Sequence, residues 1–111
     1  MDSAQRKAAA AAYKERKPNA GVFRIVCAGT GQVWVGAAPG LDGIENRTRF
    51  MLRMGNHRSA SLQSAWAACG DAGLSFATLE TLDPGLSDYA RRGRLKERLS
   101  HWSVELGAEA L

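Results

Sequence analysis

The residues best suited to chemistry lie in one basic segment, NRTRFMLRMGNHR, which spans residues 46–58 and contains no acidic residue. Arginine side chains bind phosphate oxygens through paired N–H donors, and an anionic polymer is bound by several such groups close together. We therefore predict a nucleic-acid-binding patch made of Arg47, Arg49, Arg53 and Arg58. The alternative is a solvated helix face, which a run of charges also forms.

His57 stands in the same segment, two residues after a glycine that would end a helix. Imidazole titrates near neutral pH, so His57 could transfer a proton or contact a phosphate. A turn histidine without a chemical role is the alternative.

A second candidate site is the stripe of Glu97, His101 and Glu105, which recur at intervals of four residues. On a helix this spacing places the three side chains on one face, where they could ligate a metal ion. The alternative is an ordinary surface pattern, because Glu–His pairs are common on exposed helices.

Two aromatic residues, Phe23 and Trp34, occupy corresponding places in the stretch GVFRIVCAGTGQVWVG at residues 21–36. The small residues in its centre favour a tight turn, so the stretch predicts a hairpin. If the loop has an even number of residues, both rings project from one face and can stack as a cross-strand pair. The alternative is a functional aromatic platform.

Length and composition predict one soluble domain. A chain of 111 residues supports a single modest core, and its formal net charge of +4 permits an anionic partner. No run is long enough to span a membrane, and the alanines at 8–12 are too few and too weakly apolar for a signal peptide. Cys27 and Cys69 lack CxxC spacing and lie in apolar stretches, which indicates buried reduced thiols and a cytoplasmic protein.

Apolar periodicity and glycine or proline breaks predict seven elements that position these residues. The helices are predicted at 3–17, 42–54, 59–69 and 86–106, and the strands at 21–27, 32–37 and 74–82. This order predicts an α+β fold, in which a small three-stranded antiparallel sheet is flanked by helices and an extra helix stands at the N-terminus.

The hairpin and the segments after it resemble the GIY-YIG nuclease family. The two triplets that name the family correspond to Gly21-Val22-Phe23 and Trp34-Val35-Gly36. Residues 49–82 continue the resemblance with a basic helix, a Gly-x-His turn, a Leu-Gln-x-x-Trp helix and a Phe-x-x-x-Leu-Glu strand. The residues in register are Leu52, Gly55, His57, Leu62, Gln63, Trp66, Gly70, Phe76, Leu79 and Glu80.

The resemblance implies a GIY-YIG-like domain at residues 20–107, preceded by an N-terminal helical extension at 1–19. It implies a nuclease of the bacterial and phage type that hydrolyses phosphodiester bonds with one divalent metal ion. The partner would be nucleic acid, with DNA favoured over RNA, and no membrane. The cofactor would be Mg²⁺ or Mn²⁺ if the protein is catalytically active, and none otherwise.

Four positions that carry the family's chemistry hold other residues in this chain. Phe23 and Trp34 replace the two tyrosines, Ile44 replaces the arginine, and Leu99 replaces the metal-binding glutamate. Phenylalanine has no hydroxyl group, and the tryptophan N–H can only donate, so neither can relay a proton. The catalytic centre implied by the resemblance is therefore altered or defective.

The substitutes that stand nearest these positions are Arg47 for the phosphate, His57 for proton transfer, and Glu97 or Glu105 for the metal.

Two functions remain open. The first is a divergent, nuclease-like protein that acts on nucleic acid. The alternative is a non-catalytic module on the same fold, which binds nucleic acid through residues 46–58 or a protein partner, including a second copy, through the hairpin face.

Overall fold

The computed structural model describes residues 19–111. The helix predicted at 3–17, and nearly all of the predicted extension at 1–19, lie outside the described residues. The described residues form one sheet of four strands and three α-helices. Among them, no helix has the length and apolarity that crossing a membrane requires.

The sheet confirms the predicted antiparallel core and adds one strand to it. Its strands are β1 (Gly21–Cys27), β2 (Val33–Ala38), β3 (Leu74–Thr81) and β4 (Glu109–Ala110). Their spatial order is β3-β1-β2-β4, and β1 is antiparallel to both β2 and β3. The unpredicted strand β4 runs parallel to β2, with Glu109 beside Trp34. Glutamate and alanine have little strand preference, so the contact with β2 makes this segment a strand.

The helices are α1 (Ile44–Arg53), α2 (Ala60–Cys69) and α3 (Asp88–Leu106). The prediction started these three helices one or two residues too early, because it included their N-caps Gly43, Ser59 and Ser87. Ser59 and Ser87 are N-caps whose hydroxyl groups accept hydrogen bonds from backbone amides of the first turn. α3 ends where Gly107 adopts a φ of 58°.

The sheet lies between two helical layers, because alternate residues of each strand face opposite sides. The cluster between the sheet and the pair α1 and α2 includes Phe23, Ile25, Cys27, Trp34, Leu52 and Leu62. The cluster between the sheet and α3 includes Val22, Val35, Leu99 and Trp102. Helix α3 is therefore on the opposite side of the sheet from α1 and α2.

Arg49 of α1 ties that helix to the start of β3. Its side chain is only 15% exposed, and its Nε atom pairs with Glu45 at 3.0 Å. Its other two nitrogens donate hydrogen bonds to the carbonyl oxygens of Asp71 and Leu74, the latter at 2.7 Å. The guanidinium carbon also lies 4.8 Å from the centre of the Phe76 ring. Arg49 thus has a structural role, which differs from the nucleic-acid contact expected from the sequence.

We expect Arg49→Ala to lower the free energy of unfolding by about 2–4 kcal/mol, because two carbonyl oxygens lose a charged donor. Urea denaturation followed by circular dichroism measures this change. Arg53→Ala is the matched control, since Arg53 is 55% exposed and approaches Asp71 only to 3.8 Å. The control should lose less than about 0.5 kcal/mol, and equal losses would contradict the structural role of Arg49.

Candidate functional site

A cleft of about 320 Å³ opens between α1, the β1–β2 hairpin and the loop before α2. It is lined by Phe23, which stands at the position of the family's first tyrosine, by the predicted substitutes Arg47 and His57, and by Arg58 of the predicted patch. The other lining residues are Gly36, Ala37, Ile44, Thr48, Met51 and Leu111. The fold thus brings together much of the site that the sequence predicted.

Phe23 is buried and forms part of the cleft wall. It lies opposite Gly36, and its ring covers that glycine so closely that a Cβ atom there would lie 2.5 Å from a ring carbon. The predicted stack of Phe23 on Trp34 is not formed, although the register places both on one face. Phe23 stacks instead on Phe76 of β3, with ring centres 6.5 Å apart and planes at 15°.

Trp34 is a core residue and does not line the cleft. It is 1% exposed, and its Nε1–H donates hydrogen bonds to Ser61 Oγ at 3.0 Å and Glu109 Oε2 at 3.1 Å. A buried indole N–H needs such a partner, and here the partners come from α2 and β4. Trp34 therefore joins three elements, which supports its interpretation as a packing residue.

The two arginines of the cleft differ from their neighbours Arg49 and Arg53 in having no charged partner among the described residues. Within residues 19–111, Arg47 and Arg58 are exposed and make no ion pair. No side chain that lines the cleft is a carboxylate. Their guanidinium groups are therefore available to an anion, whereas Arg49 and Arg53 pair with acidic groups at least in part.

His57 is held by two hydrogen bonds in the loop between α1 and α2. Its backbone amide donates to Gln63 Oε1 at 3.2 Å, and its Nδ1 accepts from the Ser59 amide at 3.0 Å. Burial lowers the pKa of His57, and the nearby positive charge of Arg58 lowers it further. Because Nδ1 accepts a hydrogen bond, the neutral ring carries its proton on Nε2. This tautomer can donate a hydrogen bond to a phosphate but has no free lone pair for a general base.

The predicted metal ligands are not part of the cleft. Glu97 and Glu105 are exposed on α3, across the sheet from α1, and Leu99 packs in the apolar cluster under α3. The described residues contain no group of three or more His, Cys, Asp or Glu side chains that could hold a metal ion. The donor set around the cleft therefore does not fit the divalent ion that the family uses.

Sequence reasoning did not predict the cleft floor, which Ile44, Thr48 and Met51 form on one side of α1. The signal was present, because these residues recur at helical spacing and therefore share one face of α1. Their type and spacing alone could not show that this face borders an open cleft rather than a closed core.

We expect His57→Gln to reduce the acid sensitivity of the fold. Since the pKa of His57 in the folded protein lies below its ordinary value of 6.5, the unfolded chain takes up a proton first as the pH falls. The free energy of unfolding should therefore decrease as the pH falls through about 6.5 toward the lower folded pKa. Urea denaturation at about pH 7.5 and about pH 5.5 should show a smaller decrease in the variant than in the wild type.

Asn56→Ala is the control, because it changes the adjacent residue without removing a titratable group. It should retain the decrease seen in the wild type. If His57→Gln retains the full decrease as well, His57 is not the source of this pH dependence.

Two solved structures are similar to this chain. A mutant of the catalytic domain of the intron endonuclease I-TevI has a TM-score of 0.68 and 24% sequence identity, covering 79% of this chain and 84% of that chain. The catalytic domain of the homing endonuclease I-TevI has a TM-score of 0.67 and 24% identity, covering 83% of this chain and 97% of that chain. No protein-family model matches the chain, and no curated protein does. The fold expected from the sequence is confirmed: this chain has a GIY-YIG-like fold, similar to a nuclease catalytic domain.

Proposed function

We propose that this chain is a nuclease-like protein that binds nucleic acid in the cleft and has an altered catalytic centre. The observation that carries the proposal is the pair Arg47 and Arg58, which line one cleft and make no ion pair within the described residues. Each guanidinium group offers the paired donors that suit a phosphate. The GIY-YIG-like fold supports a nucleic acid as the source of those phosphates.

The rest of the cleft suits the other parts of a nucleotide. The Nε2–H of His57 can donate to a phosphate oxygen beside Arg58, and Ile44 and Met51 offer apolar surface to a sugar or base. Phe50, on α1 outside the cleft, is exposed and available for base stacking. We place DNA ahead of RNA because the similar structures are domains of a homing endonuclease.

The residues of the cleft support nucleic-acid binding more than they support cleavage, which in the GIY-YIG family depends on a metal ion. The cleft has groups that stabilise a phosphate, but its lining side chains include no carboxylate to ligate a metal ion. Glu97 and Glu105 lie on the other side of the sheet, so they do not supply the missing ligand. A metal ligand and a phosphate-binding arginine each stabilise the transition state of such enzymes, by on the order of 3 kcal/mol or more. Without both groups, the family's reaction loses several kcal/mol of this stabilisation.

Fluorescence anisotropy with labelled duplex and single-stranded DNA tests the binding. We expect Arg47→Ala and Arg58→Ala each to weaken duplex binding about tenfold at about 50 mM salt, because each removes a phosphate contact. Each variant should also reduce the slope of log K against log salt concentration by about 0.9.

Arg94→Ala is the matched control, since Arg94 is an exposed arginine on α3, across the sheet. It should bind as the wild type does. An equal loss in this control would contradict an interface centred on the cleft. No binding of either DNA form at low salt would overturn the proposal.

The altered catalytic centre is tested separately. Plasmid DNA and a single-stranded substrate, incubated with Mg²⁺ or Mn²⁺, should stay intact under conditions where the protein is bound. Metal-dependent nicking that Arg47→Ala abolishes would show that the altered centre still cleaves through its substitute residues, and would contradict a function limited to binding.

A further inference from the structure

The two cysteines, far apart in sequence, line one cavity of about 700 Å³ between the β1–β2 turn and α2. Both thiols are free, Cys27 buried at the end of β1 and Cys69 partly exposed at the end of α2. This cavity is separate from the arginine-lined cleft, and the proposed function makes no use of it.

The backbone shows how the thiols come together. Cys27 is paired with Leu74 in the β1–β3 ladder, and the amide of Ala28 donates to the carbonyl of Gly73 at 3.0 Å. The Cys69 side chain lies against Gly73, where an added Cβ would be 2.9 Å from its Sγ atom. The glycine therefore leaves space for the Cys69 sulfur against the backbone that pairs with Ala28, the residue after Cys27, and both cysteines line the same cavity.

This environment makes the two thiols unequal. The neighbouring polar side chain of Thr30, and then the contact with Cys69, lower the pKa of Cys27 to about 7. Burial raises the pKa of Cys69, and its contact with Cys27 raises it further. A thiol whose pKa lies near the ambient pH is the more effective nucleophile, so Cys27 is the attacking group of the pair.

We propose that Cys27 and Cys69 form an oxidation site that reduces a small hydroperoxide and closes into a disulfide. The Cys27 thiolate attacks one peroxide oxygen, the O–O bond breaks, and the leaving oxygen takes a proton to become water or an alcohol. The sulfur of Cys69 then attacks the sulfenic acid on Cys27, the S–S bond forms, the S–O bond breaks, and water leaves. The two thiols lose two electrons and two protons, and the peroxide gains them.

The location of Cys27 restricts the oxidant to a small one. Cys27 has no exposed surface of its own, so the reagent must reach it through the cavity beside Cys69. The disulfide would enclose residues 28–68, which include Arg47, His57 and Arg58. Closing such a loop restricts the unfolded chain, so oxidation should stabilise the fold.

The test uses the folded wild-type protein and hydrogen peroxide at about one equivalent. After the reaction, the protein is denatured in excess maleimide, and its intact mass is measured. We expect an intramolecular disulfide, seen as the loss of two hydrogen atoms with no maleimide added, and reversed by dithiothreitol. The rate should rise as the pH increases through about 7, where Cys27 ionises, and the midpoint of thermal unfolding should rise by about 10 °C.

Single variants separate the two roles. Cys69→Ser should stop at a sulfenic acid on Cys27, which dimedone traps, and Cys27→Ala should leave Cys69 reacting at least about tenfold more slowly. Two maleimide groups on peroxide-treated wild type, or disulfides between chains alone, would overturn the proposal. Those wild-type results do not depend on whether a variant folds.

Discussion

The position of α1 on the sheet depends on the inward-facing guanidinium group of Arg49. The helix has ten residues, of which only Thr48 and Leu52 are buried, so its apolar contact with the core is small. Arg49 adds hydrogen bonds to the backbone that leads into β3. Two successive residues turn a helix by about 200° about its axis, so Arg47 and Arg49 point to nearly opposite sides. With Arg49 directed inward, Arg47 lines the cleft. One arginine fixes the helix, and its neighbour is left available to a ligand.

The four positions that depart from the GIY-YIG pattern share one physical property. Phe23, Trp34, Ile44 and Leu99 all belong to the apolar clusters on the two faces of the sheet or pack against them. A charged or hydroxyl-bearing group at such a position would need a polar partner or water beside it. The apolar residues need neither, so the two helical layers can close on the sheet. The GIY-YIG-like fold thus forms with apolar residues at all four positions.

Local patterns made most of the fold predictable, because strand alternation, helical spacing and glycine stops are properties of neighbouring residues. The bounds of β1 were predicted to the residue, and the resemblance placed Phe23, Arg47 and His57 around one site. Contacts between distant segments could not be predicted in this way. β4 needs the edge of β2, and the inward direction of Arg49 is decided by carbonyl groups at positions 71 and 74. The same limit applies to the two cysteines, which the sequence indicated only as buried reduced thiols.

The short strand β4 also changes how the sheet meets other molecules. It covers the β2 edge at Trp34, and the amide of Leu111 donates to the Val35 carbonyl at 2.8 Å. Within residues 19–111, β3 is then the long edge that stays open. Its ladder with β1 is irregular where Val22 faces Glu80 and Phe23 faces Thr78, so one residue of β3 bulges out. A bulged edge is a poor template for an incoming strand, and the sheet is thereby protected against aggregation by edge-to-edge pairing.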